Sequence, residues 1–156
     1  MINNVFTYCK YDFYKLDKAK IFYSRYIFFY LKLITKLKQH NEVKPLVVIN
    51  ICPSKLLAKI EGYLCKKMNI QFYHYPFKFK NSTVQENYVE IKKLVKMIDK
   101  HANNNDVWLH CFHGCHRTGL VMSKIIKRNI YNQLCISAKQ PIYPKDIQLL
   151  EKLKIK

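Results

Sequence analysis

The densest chemistry in the chain lies at His110-Cys-Phe-His-Gly-Cys-His-Arg-Thr-Gly119. Two of the 3 glycines, Gly114 and Gly119, fall here, with His110, His113 and His116 out of 6 histidines. A chain so poor in Gly that sets two of them together needs backbone freedom or close approach at that place. The run follows the apolar Val107-Trp-Leu and opens a helical pattern, so it joins a strand to a helix, where an open α/β sheet places its ligand site. Seven residues, Cys111 to Arg117, curling over a helix N-terminus can aim amides inward, and the helix dipole adds positive potential. Such a cradle suits an anion the size of phosphate. Arg117 offers a planar fork for two phosphate oxygens. Amides, dipole and guanidinium together favour a thiolate at Cys111, as comparable sites bring a thiol pKa from about 8.5 down to roughly 3.5–7.5. A thiolate beneath a bound phosphate is placed for in-line attack on phosphorus.

Six of these positions, His110, Cys111, Gly114, Arg117, Thr118 and Gly119, resemble the HC-x5-R-S/T-G signature of the cysteine-dependent phosphatases, the protein tyrosine and dual-specificity group. The resemblance implies that Cys111 is the nucleophile and becomes phosphocysteine. By the same resemblance Arg117 binds substrate and transition state, Thr118 hydrogen-bonds the sulfur and eases its departure, and His110 orients the loop and steadies the thiolate. Phe112, His113, Gly114, Cys115, His116 and Gly119 complete the implied phosphate-binding loop. No cofactor and no metal is implied. The likeness is tight at the loop and loose over most of residues 40–156.

That group also carries an Asp general acid upstream of the Cys, just beyond a strand ending near a Pro. Here the region reads Tyr75-Pro-Phe-Lys-Phe-Lys-Asn81, and alignment on Pro76 puts Phe79 at the Asp position, 32 residues before Cys111. No carboxylate occurs between Glu61 and Glu86, so Glu86 is the fallback acid; Glu86 and Glu90 also read simply as solvated helix charges. A tyrosyl leaving group has a pKa of about 10 and gains much from protonation. A phosphate leaving group, with a pKa near about 6, departs ionised. The missing Asp therefore favours a phosphoanhydride substrate. The pattern is similar to the RNA 5′-triphosphatase branch, related to metazoan capping-enzyme and baculovirus phosphatases, whose HC-x-HG-x-x-RTG matches His113-Gly114. The stretch Ala138-Lys-Gln-Pro-Ile-Tyr-Pro-Lys-Asp146 resembles the tail of that branch, whereas His116 stands where it usually has Asn. The expected activity is removal of the γ-phosphate from an RNA 5′ end. A phosphoprotein substrate, cleaved by a dual-specificity or tyrosine phosphatase, is the alternative. Phosphatases of inositol pyrophosphates end their loop similarly and also cleave an anhydride.

Three readings compete with these. The loop could bind phosphate without turnover, as a pseudophosphatase. Cys111, His113, Cys115 and His116 are all zinc-ligand types, but structural zinc sites usually draw on a second, separated pair, and the other cysteines are scattered singly. Cys115 could be a redox partner protecting Cys111, or an ordinary loop residue.

The composition agrees with a folded domain that meets polyanions. Of 156 residues, 28 are Lys or Arg and 10 are Asp or Glu, a net charge of +18, while 49% are hydrophobic. The apolar share excludes a disordered basic tail. The positive field favours nucleic acid, acidic lipid or phosphorylated substrates. Because 25 of the 28 basic residues are Lys, alongside frequent Asn, Ile and Tyr, the same excess also fits AT-rich coding. The 6 cysteines come with no early apolar leader, so reduced thiols in the cytoplasm or nucleus, not secretion, are expected. Residues 1–156 read as one phosphatase domain. No membrane span is expected, as Arg25 and Lys32 interrupt the aromatic segment from Ile21 to Leu33.

To position the loop, alternating strands and helices are needed: an α/β domain with a largely parallel central sheet, in the manner of a small dual-specificity phosphatase. Strands are predicted over Leu46–Ile51, Ile70–Phe77 and Val107–Cys111. Helices are predicted over Phe22–His40, Ser54–Met68, a stretch opening at a Ser82-Thr83 capping box, Thr118–Asn129, and two short ones near 131–139 and 144–154. Trp108 and Leu109 should be core. The Tyr and Phe residues of 72–79 read either as core or as a rim around the substrate.

Overall fold

The computed structural model describes residues 11–15, 19–24, 45–79 and 82–155. Among them the elements run β1 (Tyr11–Lys15), β2 (Lys20–Ser24), β3 (Leu46–Asn50), α1 (Lys55–Lys67), β4 (Gln71–His74), α2 (Val84–Ala102), β5 (Asp106–His110), α3 (His116–Ile126), α4 (Tyr131–Ser137) and α5 (Pro144–Lys152). The sheet order is β1-β2-β5-β3-β4. Only β1 with β2 is antiparallel; β2 with β5, β5 with β3 and β3 with β4 are parallel. The α/β class and mostly parallel sheet expected from the sequence are what the chain forms.

The two central strands, β3 and β5, are buried at every residue. That is why each reads as an unbroken apolar run and not an alternating one. Side chains still alternate between faces. Phe22, Trp108, Val48 and Phe72 form one row across the sheet by register, with Phe22 and Trp108 stacked at 5.4 Å. Helix α1 packs on this face through Gly62, where a Cβ would stand 3.0 Å from the Phe72 ring. Ile21, Val47, Ile49, Val107 and Leu109 point the other way, into a core shared with Ile91 and Leu94 of α2, Leu120 of α3 and Leu149 of α5.

The expected helix from Phe22 to His40 is corrected at its start. Residues 20–24 are strand β2, seated between β1 and β5, and residues 25–40 lie outside the described region. Ile21-Phe22-Tyr23 is buried on both faces, so it shows no alternation, and a short apolar run cannot be assigned by period alone. Strand β1 was likewise absent from the sequence reading. The capping box is present as expected: Thr83 Oγ1 accepts from the Glu86 amide at 3.1 Å, and Glu86 Oε2 accepts from the Thr83 amide at 2.6 Å. Among the described residues no helix is long and apolar enough to cross a membrane.

Candidate active site

Register places the site. Asn50 of β3 pairs with His110 of β5 on one side and with His74 of β4 on the other, so three polar residues end adjacent parallel strands at the same edge. Asn50 and His110 fall two residues after Val48 and Trp108, hence on the face covered by α1. There Glu61, in the middle of α1 and only 2% exposed, accepts from His110 Nε2 through Oε1 at 2.6 Å and from Asn50 Nδ2 through Oε2. An ionised carboxylate can only accept, so the ring hydrogen sits on Nε2. Asn50 also grips the backbone beside the loop through its oxygen. His110 Nδ1 lies 3.4 Å from the Cys111 carbonyl, and Asn50 Oδ1 accepts from the Cys52 amide at 2.7 Å. The Ile51 amide donates to the His110 carbonyl at 2.9 Å, extending the ladder by one rung. His110 is thus fixed at the start of the loop by Glu61 and by strand register. Its anchor, Glu61, was missed: in the sequence it is one more charge on an amphipathic helix, and only the fold reveals that its side faces inward.

Beyond Cys111, itself 2% exposed, the chain turns through Phe112, His113, Gly114 and Cys115 into α3. Gly114 has φ 68°, in the left-handed region that favours glycine. Gly119 answers a different need. A Cβ on it would stand 3.2 Å from the Tyr131 Cα, so its absence lets α4 close onto α3. Arg117 is held by Nε donating to the Phe77 carbonyl at 2.8 Å, which leaves its terminal nitrogens for a ligand, and its guanidinium carbon lies 5.9 Å from the Phe79 ring centroid. Thr118 is fully buried and its hydroxyl makes no hydrogen bond, so the bond to the Cys111 sulfur implied by the resemblance is not formed in this state.

A cleft of about 1050 Å³ opens over the loop. Phe112, His113, His116 and Arg117 line it from the loop, Phe79 from the segment after β4, and Tyr143 and Lys145 from the start of α5. The residues of 72–79 therefore divide: Phe77 is core, Tyr73 is exposed, and Phe79, buried yet cleft-lining, is wall. Phe79 stands as a phenyl face against the guanidinium, with no acid in its place. Glu86, the fallback acid, does not line this cleft. Its carboxylate is held in the cap of α2, and the bond from the Thr83 backbone keeps its pKa below the ordinary value.

The carboxyl that does adjoin the cleft is Asp146, in the first turn of α5 as expected. It is fully buried; Oδ2 accepts from the Tyr131 hydroxyl and Oδ1 has no hydrogen-bond partner. Burial pushes its pKa up, against the lowering by Tyr131 and by the charges of His116, Lys145 and Arg117. It has no exposed oxygen.

Beneath the loop three side chains meet that were not grouped in the sequence. Cys115 Sγ lies 3.5 Å from His116 Nδ1 and in hydrogen-bonding contact with Cys135 of α4. The bond to Cys135 and burial push the Cys115 thiol well above its usual range, the same bond lowers Cys135, and the contact with Cys115 raises His116. Among the described residues Cys52, Cys111, Cys115 and Cys135 are thiols that form no disulfide.

No family model matches the sequence, and no curated protein matches it. Solved structures do match. A putative phosphatase of the DUF442 type from Shewanella putrefaciens CN-32 is 22% identical with a TM-score of 0.58, covering 90% of this chain and 89% of its own. Cydia pomonella PTP-2 phosphatase is 15% identical with a TM-score of 0.55, over 92% and 90% of the two chains. TpbA of P. aeruginosa, also solved as a cysteine-to-serine variant with phosphotyrosine, is 16% identical with a TM-score of 0.53, over 81% and 69%. The fold is therefore that of the protein tyrosine and dual-specificity phosphatases. In this chain the strand-to-helix loop of that fold is 111–115, running from β5 into α3.

Proposed function

We propose that this chain is a cysteine-dependent phosphatase that works through a phosphocysteine and acts on a phosphoanhydride, in the first instance the γ-phosphate of an RNA 5′-triphosphate. The reading is supported by the residues Cys111 to Arg117 running from β5 into α3, with Arg117 on the cleft and the Phe79 ring against its guanidinium where an acid would be expected. Cys111 Sγ attacks the terminal phosphorus as the bond to the bridging oxygen breaks, and the diphosphate end of the RNA leaves ionised, so no proton is owed to it. Arg117 and the loop amides hold the three equatorial oxygens as charge shifts among them. Water then attacks phosphorus and the sulfur leaves. Thr118, with an unused buried hydroxyl, is the donor available to the departing thiolate. Lys145 and the lysine excess would meet the rest of the polyanion through contacts that weaken with salt.

A phosphotyrosyl protein is the second reading. The aromatic walls Phe79, Phe112 and Tyr143 would accept a phenol ring as readily as a base. The test is phosphate release from triphosphorylated RNA, phosphotyrosyl and phosphoseryl peptides and an inositol pyrophosphate, side by side with chelator present. RNA is expected to turn over, and Cys111→Ser to abolish release. Brisk release from phosphotyrosine with RNA inert would defeat the anhydride reading. Stoichiometric binding without release from any substrate would defeat the enzyme.

A further inference from the structure

We propose that Cys115, His116 and Cys135 form a binding site for one zinc ion, directly beneath the phosphate loop. Their ligand atoms, two thiol sulfurs and one imidazole nitrogen, all lie within 4.8 Å of one another. Tetrahedral zinc, with bonds of about 2.3 Å to sulfur and about 2.0 Å to nitrogen, needs its ligands roughly 3.5–3.8 Å apart. The Cys115–His116 edge is already 3.5 Å, so closing the site needs only a modest rotation of the Cys135 thiol. The imidazole is oriented as metal-binding histidines are. Nε2 lies 2.9 Å from the Pro141 carbonyl and donates to it, so in the neutral ring the lone pair is on Nδ1, the atom facing Cys115. Two sulfurs with one nitrogen suit zinc and leave a fourth position for water.

The elements explain why the trio exists. Cys115 is the N-cap of α3 and His116 its first residue, while Cys135 comes from α4, which Gly119 allows to close on α3. Both thiols are fully buried and the imidazole half-buried, so none of the three is an incidental surface contact. Binding replaces two S–H hydrogens by one metal ion: two thiols and Zn²⁺ give the neutral dithiolate and two protons in solution. The ion then ties the end of the phosphate loop to α4. The site needs neither Cys111 nor His113, the residues that the sequence grouped with Cys115 and His116. It also stands apart from the phosphatase reading, because it can be assayed without substrate.

The experiment is a titration of reduced, metal-free protein with Co²⁺ and then Zn²⁺. One Co²⁺ per chain should bind, with thiolate-to-cobalt absorption in the near ultraviolet and intense tetrahedral bands in the visible. One equivalent of Zn²⁺ should erase both and raise the melting temperature. Cys135→Ala should lose the bands and weaken binding by at least about 100-fold, while Cys111→Ser should keep both. Because Cys135 is buried, His116→Ala is run beside it and is expected to weaken binding similarly; urea melts confirm that each variant is folded. A weak octahedral spectrum at one equivalent overturns the proposal. So does loss of the bands in Cys111→Ser with retention in Cys135→Ala, which would put the metal on the nucleophile.

Discussion

Replacing Glu61 by Gln changes one atom and should nonetheless damage the site. Two donors, His110 Nε2 and Asn50 Nδ2, converge on the two oxygens of Glu61 in a region where the carboxyl is 2% exposed. Asn50 cannot turn its amide over to help, because its oxygen already accepts from the Cys52 amide at 2.7 Å. A glutamine has one acceptor and one donor, so with His110 keeping its ring hydrogen on Nε2, one N–H faces another N–H away from water. Leaving one buried donor unmet costs about 1–3 kcal/mol. Glu61→Ala strands both donors and opens a void, for about 3–5 kcal/mol. With a urea m-value of about 2 kcal/mol per molar, the Gln variant should unfold about 1 M earlier than the parent. Because His110 and Asn50 stand beside Cys111, the proposed nucleophile, phosphate release should also fall about tenfold, or ~1.4 kcal/mol in the barrier. An unchanged midpoint for Glu61→Gln would refute the reasoning: the carboxylate would then not be held by two donors.

Other consequences can be measured in the same way. Arg117→Lys replaces a fork by a point charge and removes the Nε bond to Phe77, so kcat/KM should fall at least about 100-fold, ~3 kcal/mol, with the urea midpoint nearly unchanged; a loss under fivefold would remove Arg117 from the reaction. Tyr131→Phe takes the remaining partner from Asp146 and should cost about 1–3 kcal/mol near neutral pH. Asp146 has a raised pKa when folded, so the folded chain binds more protons than the unfolded one, and stability declines as pH rises from the unfolded value through the folded one. Tyr131 lowers that pKa, so the variant's deficit should grow between about pH 4 and pH 7 in urea melts; a deficit constant with pH would mean that Asp146 does not titrate there. Gly119→Ala puts a Cβ 3.2 Å from the Tyr131 Cα and should cost about 1–3 kcal/mol by pushing α4 from α3, read as a lower melting temperature.

The α/β scaffold, and the strand, loop and helix in succession around residues 111–115, were readable from the chain alone. The spacing of Cys111, Gly114 and Arg117 was readable because a strand, loop and helix in succession fix it locally, whereas Gly119 serves the packing of α4 on α3. The described helices were readable because one-sided burial stamps a period on the chain within a few residues, and β3 and β5 because each is an unbroken apolar run between turn signals. Where burial was two-sided and short, as in Ile21-Phe22-Tyr23, the period vanished and strand β2 was read as the start of a helix.

The tertiary structure alone decided which distant side chains stand behind that loop. Glu61 looked like a solvated charge until strand register set Asn50 beside His110 and α1 was laid over both. Cys135 looked solitary until α4 folded onto α3 and brought it to Cys115. Phe79 could be aligned but not placed until it stood against Arg117. Such pairings carry no local signature, because the contacts arise from the crossing of elements, and nothing in the intervening chain records the angle at which they cross.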